Sequence, residues 1–140
     1  MSGAKAILDT GPLVALLNAR DSLHAWAKEV FETMRGPYLT SEANITEMCL
    51  LLEAAQPRSS LRVMQMLADG LLLAEPFLPG RLAEVRAVME RYRYRSVDFA
   101  DGCVVCLSNR ERRLTVISAD RKDFTVYFRG SNRRLCLPPS

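Results

Sequence analysis

Four acidic side chains, Asp9, Glu47, Asp101 and Asp120, stand where an α/β chain places its chemistry. Asp9 ends the apolar run Ala6-Ile7-Leu8 and precedes Thr10-Gly11-Pro12, which opens an apolar helix with Pro12 suited to its first turn. Glu47 falls a turn or two into the helix after the second strand candidate. Asp101 begins the helix after the Ser96-Val97 break, with Asp98 one turn earlier. Asp120 follows the run Leu114–Ser118, with Asp123 close behind. In a parallel sheet the carboxyl ends of the strands share one edge, so acids far apart in sequence can meet there.

Three or four carboxylates in one pocket repel each other and do not all stay ionised without a cation. Oxygen donors with no His or Cys among them select Mg²⁺ or Mn²⁺ over zinc. Such ions serve phosphoryl chemistry, activating a water and holding the attacking and leaving oxygens in line. Plainer readings stand beside this one. Asp9 can simply cap its helix. Glu47 lies between an apolar stripe and solvent, as an exposed helix residue would. Asp101 is set among Ala100, Gly102, Cys103 and Val104 with no base nearby, and a buried acid of that kind calls for a metal or a partner.

Alternating strands and helices must position these acids. A helix from Asp21 to about Arg35 carries Leu23, Trp26, Val30, Phe31 and Met34 at helical spacing and stops at Gly36-Pro37. Tyr38-Leu39-Thr40 is a short strand, and Thr40-Ser41 caps a helix with the stripe Ile45, Met48, Cys49 and Leu52. Further helices are expected over Leu61–Asp69, Arg81 to about Tyr94, and Phe99–Asn109. Strands are expected at Leu71–Ala74, Leu114–Ser118, Thr125–Phe128 and Leu135–Leu137, with Asp120–Asp123 as a turn. This order predicts one α/β domain over residues 1–140, its mostly parallel sheet covered on both faces.

The composition fits a globular protein: 49% hydrophobic and 25% charged over 140 residues. No apolar run reaches membrane-span length, and Met1-Ser2-Gly3 leads almost directly into the first strand, so a cytoplasmic location is expected. The net charge of +3 is carried mainly by arginine, since Lys5, Lys28 and Lys122 are the only lysines. Arg86, Arg91, Arg93 and Arg95 form one cluster, and Arg110, Arg112 and Arg113 another. Guanidinium forks suit phosphates and carboxylates, which points to an anionic polymer or an acidic partner. Cys49, Cys103, Cys106 and Cys136 lie in apolar surroundings and read as core residues; Cys103-x-x-Cys106 has no second pair to complete a zinc site. His24, the only histidine, is expected at the surface.

The segments LDTGPLVALL, TSEANITEMCLLLE, SVDFADGCVVCL and VISADRKDFTVYF resemble, in order and spacing, the signature segments of PIN-domain ribonucleases, and more narrowly of VapC-type toxins from toxin–antitoxin pairs. The resemblance runs from about Lys5 to Leu137 and implies a PIN-like three-layer α/β/α sandwich. It makes Asp9, Glu47 and Asp101 the core metal-binding acids, Asp120 the fourth and Asp98 an accessory one. Ser118 stands where the family usually has Thr, and Gly11 where it commonly has Ser or Thr. The activity implied is a Mg²⁺- or Mn²⁺-dependent endoribonuclease, held inactive by a cognate antitoxin and often dimeric. Arg91, Arg93 and Arg95 would then guide RNA phosphates, with Tyr94 or Tyr92 stacking on unpaired bases; the same two tyrosines equally suit a core contact and a dimer contact.

Three other functions compete. An RNA-processing nuclease of the same type would act without an antitoxin. A degenerate fold serving as a binding module is expected to have lost an acid, and all the positions are filled. A phosphotransfer domain needs a paired acid beside Asp9, and none precedes it.

Overall fold

The computed structural model describes residues 3–140, which form β1 (Ala6–Leu8), α1 (Thr10–Leu17), α2 (His24–Thr33), β2 (Tyr38–Ser41), α3 (Glu42–Ala55), α4 (Ser60–Ala68), β3 (Leu72–Glu75), α5 (Leu82–Arg91), α6 (Phe99–Arg110), β4 (Thr115–Ile117), α7 (Arg121–Tyr127) and β5 (Leu135–Cys136). The strands make one five-stranded sheet in the order β3-β2-β1-β4-β5, every neighbouring pair parallel. The chain steps outward from β1 to β3, then returns past β1 to lay down β4 and β5. Right-handed crossovers turn that reversal into a change of face.

The two cores follow the strand alternation. Ala6, Leu8, Tyr38 and Leu72 pack with Leu13, Val30, Met48, Leu52 and Val63 from α1–α4. Ile7, Leu39 and Val116 pack on the other face with Val85, Cys103, Leu107 and Phe124 from α5–α7. A sheet buried on both faces needs strands without polar alternation, and β1 is fully buried along its length. This is the three-layer α/β/α sandwich expected, with its topological switch between β1 and β4, where open parallel sheets bind ligands.

Several elements differ from the sequence reading. The strand expected over Thr125–Phe128 is instead the end of α7 and its C-cap: the helix begins at the supposed turn, where Asp120 caps it by accepting the Asp123 amide at 2.9 Å. The β-branched and aromatic residues suggested a strand. Phe124, Tyr127 and Phe128, however, sit at i, i+3 and i+4, and all three are buried in the core under this face. Helix α5 ends at Arg91 rather than Tyr94, because Tyr92 turns inward. Its ring packs 5.0 Å from that of Tyr127, and its hydroxyl donates to the Tyr127 carbonyl at 2.9 Å. Helix α2 starts only at His24, since Asp21 spends its side chain on the Leu23 amide at 2.9 Å in a preceding turn. His24 is half-buried rather than a surface residue, with Nδ1 donating to the Ala15 carbonyl at 2.8 Å and so tying α2 to α1.

Two of the four cysteines are core residues as expected, while Cys49 and Cys136 are half-buried at its margin. All four are free, Cys103 and Cys106 are fully buried, and burial pushes their thiols up to about 11 and about 12. Among the described residues no helix is long and apolar enough to cross a membrane.

Candidate active site

The switch point gathers the acids through backbone first. The Asp9 amide donates to the Ile117 carbonyl at 2.9 Å, extending the β1–β4 ladder to the acid itself. Thr40 Oγ1 donates to the Leu8 carbonyl at 2.7 Å, fixing the end of β2 against the same edge.

Asp9 precedes α1 without the side-chain cap bond of an N-cap residue, its carboxylate meeting the Thr10 amide at the very start of the helix, which sets the capping reading aside. The residue is only 6% exposed. Ser118 Oγ donates to its Oδ2 at 2.8 Å, and Asn44 Nδ2 to its Oδ1 at 3.3 Å. Ser118 Oγ also accepts the Asp120 amide at 3.0 Å, so one hydroxyl joins the two acids that follow β1 and β4. Asn44 Nδ2 further donates to Thr10 Oγ1 at 3.0 Å, and Thr10 Oγ1 donates to Glu47 Oε1 at 2.7 Å. Glu47 is therefore anchored to α1 rather than free on a solvated helix face. Ser41 caps α3 through the Asn44 amide at 3.1 Å and also holds the Asn44 carboxamide oxygen, at 2.5 Å.

Asp101 and Asp98 reach the site as a capping box at the start of α6. Asp98 accepts the Asp101 amide at 2.8 Å, and Asp101 accepts the Asp98 amide at 3.5 Å. Tyr127 Oη donates to Asp101 Oδ2 at 3.4 Å.

Electrostatics show what the arrangement does. Burial, opposed by the Ser118 and Thr10 hydrogen bonds and reinforced by the charges of Glu47 and Asp120, raises Asp9 to about 6. Burial first, then the charges of Asp9, Asp98 and Glu47, raises Asp101 to about 7. Glu47 is raised by burial and, more weakly, by Asp98. The Tyr127 phenol is pushed up by burial and then by Asp101, Asp123 and Asp120. Asp9, Glu47, Asp98, Asp101 and Asp120 thus share one field. No ion pair among the described residues relieves Asp9, Glu47 or Asp101. Asp123 stands apart, paired with Arg95 at 2.6 Å.

A divalent cation fits this site by donor chemistry and by charge: the donors are oxygens, and crowded anions are the defect that a cation corrects. Among the described residues, no three His, Cys, Asp or Glu side chains already stand as a ligand set around one point. The acids share a field rather than a finished coordination shell.

The expected RNA contacts divide. Arg95 faces inward onto Asp123, whereas Arg91 and Arg93 are exposed and Tyr94 is 88% exposed, with the Arg93 guanidinium 4.7 Å above its ring. Tyr92 is the half-buried member of the pair, packed on Tyr127.

Thr10, Asn44 and Tyr127 were not singled out from the sequence, and Ser41 only as the cap of α3. Asn44 left a signal, lying three residues after the capping Ser41 and three before Glu47, on one helical face with it. Tyr127 left none while its segment read as a strand.

Gly11 is explained by a close approach. A Cβ there would lie 2.7 Å from Ala119 Cβ, in the turn that carries Ser118 and Asp120. Gly11→Ala is expected to push that turn from α1, costing about 1–3 kcal/mol of stability. Chemical denaturation measures the loss, and an unchanged midpoint would show that the turn yields freely.

No family model matches the chain. Among curated proteins it is similar to ribonuclease VapC26 of Mycobacterium tuberculosis (strain ATCC 25618 / H37Rv), 23% identical over 121 residues that cover 86% of this chain and 90% of the relative. Among solved structures it superposes on the sarcin-ricin loop cleaving toxin VapC20 of Mycobacterium tuberculosis with a TM-score of 0.77 at 18% identity, over 86% of this chain and 94% of that one. A toxin–antitoxin complex from Klebsiella pneumoniae gives a TM-score of 0.65 at 19% identity, over 85% and 89%. The chain shares the PIN-like fold of these proteins, and both comparisons lead to the group its motifs resemble.

Proposed function

We propose that this chain is a VapC-type toxin: a cytoplasmic endoribonuclease, dependent on Mg²⁺ or Mn²⁺, that is silenced by a cognate antitoxin and pairs with a second copy of itself. The observation that carries the reading is the gathering of five acids at the β1/β4 switch without a compensating ion pair, where burial first and then their mutual charge raise Asp9 to about 6 and Asp101 to about 7. A binding module has no use for such uncompensated charge. The similarity to a ribonuclease, to an RNA-cleaving toxin and to a toxin–antitoxin complex supports the substrate and the partner.

Asp9, Glu47 and Asp101 would hold the metal, with Asp120 as the fourth acid and Asp98 as the accessory one. When bound, the ion supplies a water acidic enough to attack phosphorus and charge to steady the leaving oxygen. The chain's own work is orientation. Ser118 and Asn44 fix the two oxygens of Asp9, Thr10 fixes Glu47, and the capping box fixes Asp101. These bonds place three carboxylates before any ligand arrives, which lowers the ordering cost of binding. The exposed Arg91 and Arg93 and the ring of Tyr94 would meet the RNA strand.

Incubating the purified protein with structured RNA tests the proposal. Internal cuts are expected with Mg²⁺ or Mn²⁺ and none in EDTA. Cleavage that persists undiminished in EDTA would rule out the metal, and no cleavage with either ion would rule out the nuclease.

A further inference from the structure

On the α5–α7 side of the sheet, a cavity of about 240 Å³ opens between the ends of α5 and α6 and the segment after α7. Arg91, Tyr92, Asn109, Arg129 and Arg133 are among its walls. Three arginines therefore line one small space, and none of them enters an ion pair with another described residue. Arg133 is held by neutral acceptors: Nε donates to the Ser108 carbonyl at 3.2 Å and to Ser108 Oγ at 3.1 Å, and Nη2 to Asn109 Oδ1 at 3.1 Å. Arg91 rests over the Tyr92 ring at 5.5 Å. These contacts orient the forks and leave their charge uncompensated. Partial burial and the nearby Arg112 charge hold the Arg133 guanidinium below its usual value, so an anion would relieve it.

The position of the cavity narrows what that anion is. Val105 and Asn109, both lining it, lie at i+4 and i+8 from Asp101, so it spans about 6–12 Å along α6 from that acid. Tyr127 belongs to both places, donating its hydroxyl to Asp101 and lining the cavity. Three arginines around one small space suit a single tetrahedral phosphate better than the spaced carboxylates of an acidic peptide. A strand with one phosphate at Asp101 carries others at this range, at about 3.4 Å per stacked nucleotide.

We propose that the Arg91–Arg129–Arg133 pocket binds a backbone phosphate of the RNA strand about two to four nucleotides from the scissile bond. The proposal rests on the ribonuclease reading and adds a sequence-independent contact that sets the strand's register.

Arg129 offers the cleanest test, because it is exposed and no side-chain hydrogen bond or ion pair ties it to the fold. Binding of random 16-nucleotide and 3-nucleotide RNA pools is measured in EDTA across a salt series, for wild type, Arg129→Ala and Arg129→Lys. Arg129→Ala is expected to weaken the long pool about three- to tenfold and to lower its log–log salt slope by about 0.7, while affecting the short pool less. Arg129→Lys should restore the slope. Unchanged long-RNA affinity and slope, in a wild type that binds and cleaves RNA, overturns the pocket and leaves the nuclease standing. So does an equal loss for both pools. If inorganic phosphate stabilises wild type but not Arg129→Ala while RNA binding is the same, the pocket is a free-anion site and the proposal fails. Loss of polyglutamate binding alone would assign it to an acidic protein instead. A wild type that neither binds RNA nor cleaves it with any divalent metal overturns the ribonuclease reading itself, and the pocket falls with it.

Discussion

Asp101→Asn protein is expected to fold normally and to cleave RNA more than about 10²-fold more slowly than wild type at matched Mg²⁺. Substituting residues that merely orient metal ligands costs about 10–100-fold in metal affinity or activity, and loss of a ligand's charge should exceed that. Folding is spared because asparagine keeps an oxygen for the Asp98 amide, while the bond Asp98 makes to the residue 101 amide does not involve the substituted group. The pH profile supplies a second readout. With Asp101 raised to about 7, protons compete with the metal, so wild-type activity at limiting Mg²⁺ should fall as pH drops below about 7. Saturating metal should move that fall to lower pH. Full activity in Asp101→Asn, or a flat profile from pH 5 to 8 at limiting metal, would remove this residue from the site.

In EDTA, Asp9→Asn is expected to melt above wild type at pH 7.5, by about 2–6 °C. The sign follows from proton counting. Asp9 titrates near 6 and Asp101 near 7 in the folded chain, both above the ordinary 3.8, so the native state holds more protons than the unfolded state between those limits. Metal-free stability must then decline as pH rises from about 4 to about 7, and Asp9 alone contributes on the order of 2–3 kcal/mol of that decline. Asparagine abolishes this contribution and keeps an acceptor for Ser118. Part of the gain is lost where its amide group meets that of Asn44. Mg²⁺ reverses the ranking: binding at 100 times its Kd stabilises wild type by about 2.7 kcal/mol, and Asp9→Asn should gain little. Thermal melts of both proteins from pH 5 to 8, with EDTA or with Mg²⁺, decide it. If the two melt alike in EDTA at every pH and neither responds to Mg²⁺ or Mn²⁺, the acids do not share a field and the site is wrongly placed.

The arginine cluster shows how far linear spacing carries. Arg91, Arg93 and Arg95 look equivalent as alternate residues of one segment. Once α5 ends at Arg91, Arg93 stays exposed while Arg95 turns onto Asp123. Charge composition announced an anionic partner but could not say which guanidinium was already engaged. Arg129 and Arg133 were unremarkable until the segment after α7 brought them beside Arg91.

The sequence by itself determined the fold class and the acids. Buried strands are marked by short apolar runs, their ends by turn and capping residues, and a parallel sheet has one carboxyl edge where whatever follows each strand must meet. Asp9, Glu47, Asp101 and Asp120 were legible as candidates for that reason, while their standing as one set came from the family resemblance. Tertiary structure decided the rest. Residues Thr125–Tyr127 are helical because Phe124, Tyr127 and the capping Phe128 gain more by burial on one face than β-propensity can offer, and that brings Tyr127 to Asp101. Asn44, Thr10 and Ser118 join the site through hydrogen bonds between elements 34 to 109 residues apart, and pairing at such separation leaves no periodicity to read. The strength of the field belongs to the same level, since desolvation, its largest cause at both Asp9 and Asp101, exists only once the chain has closed around them.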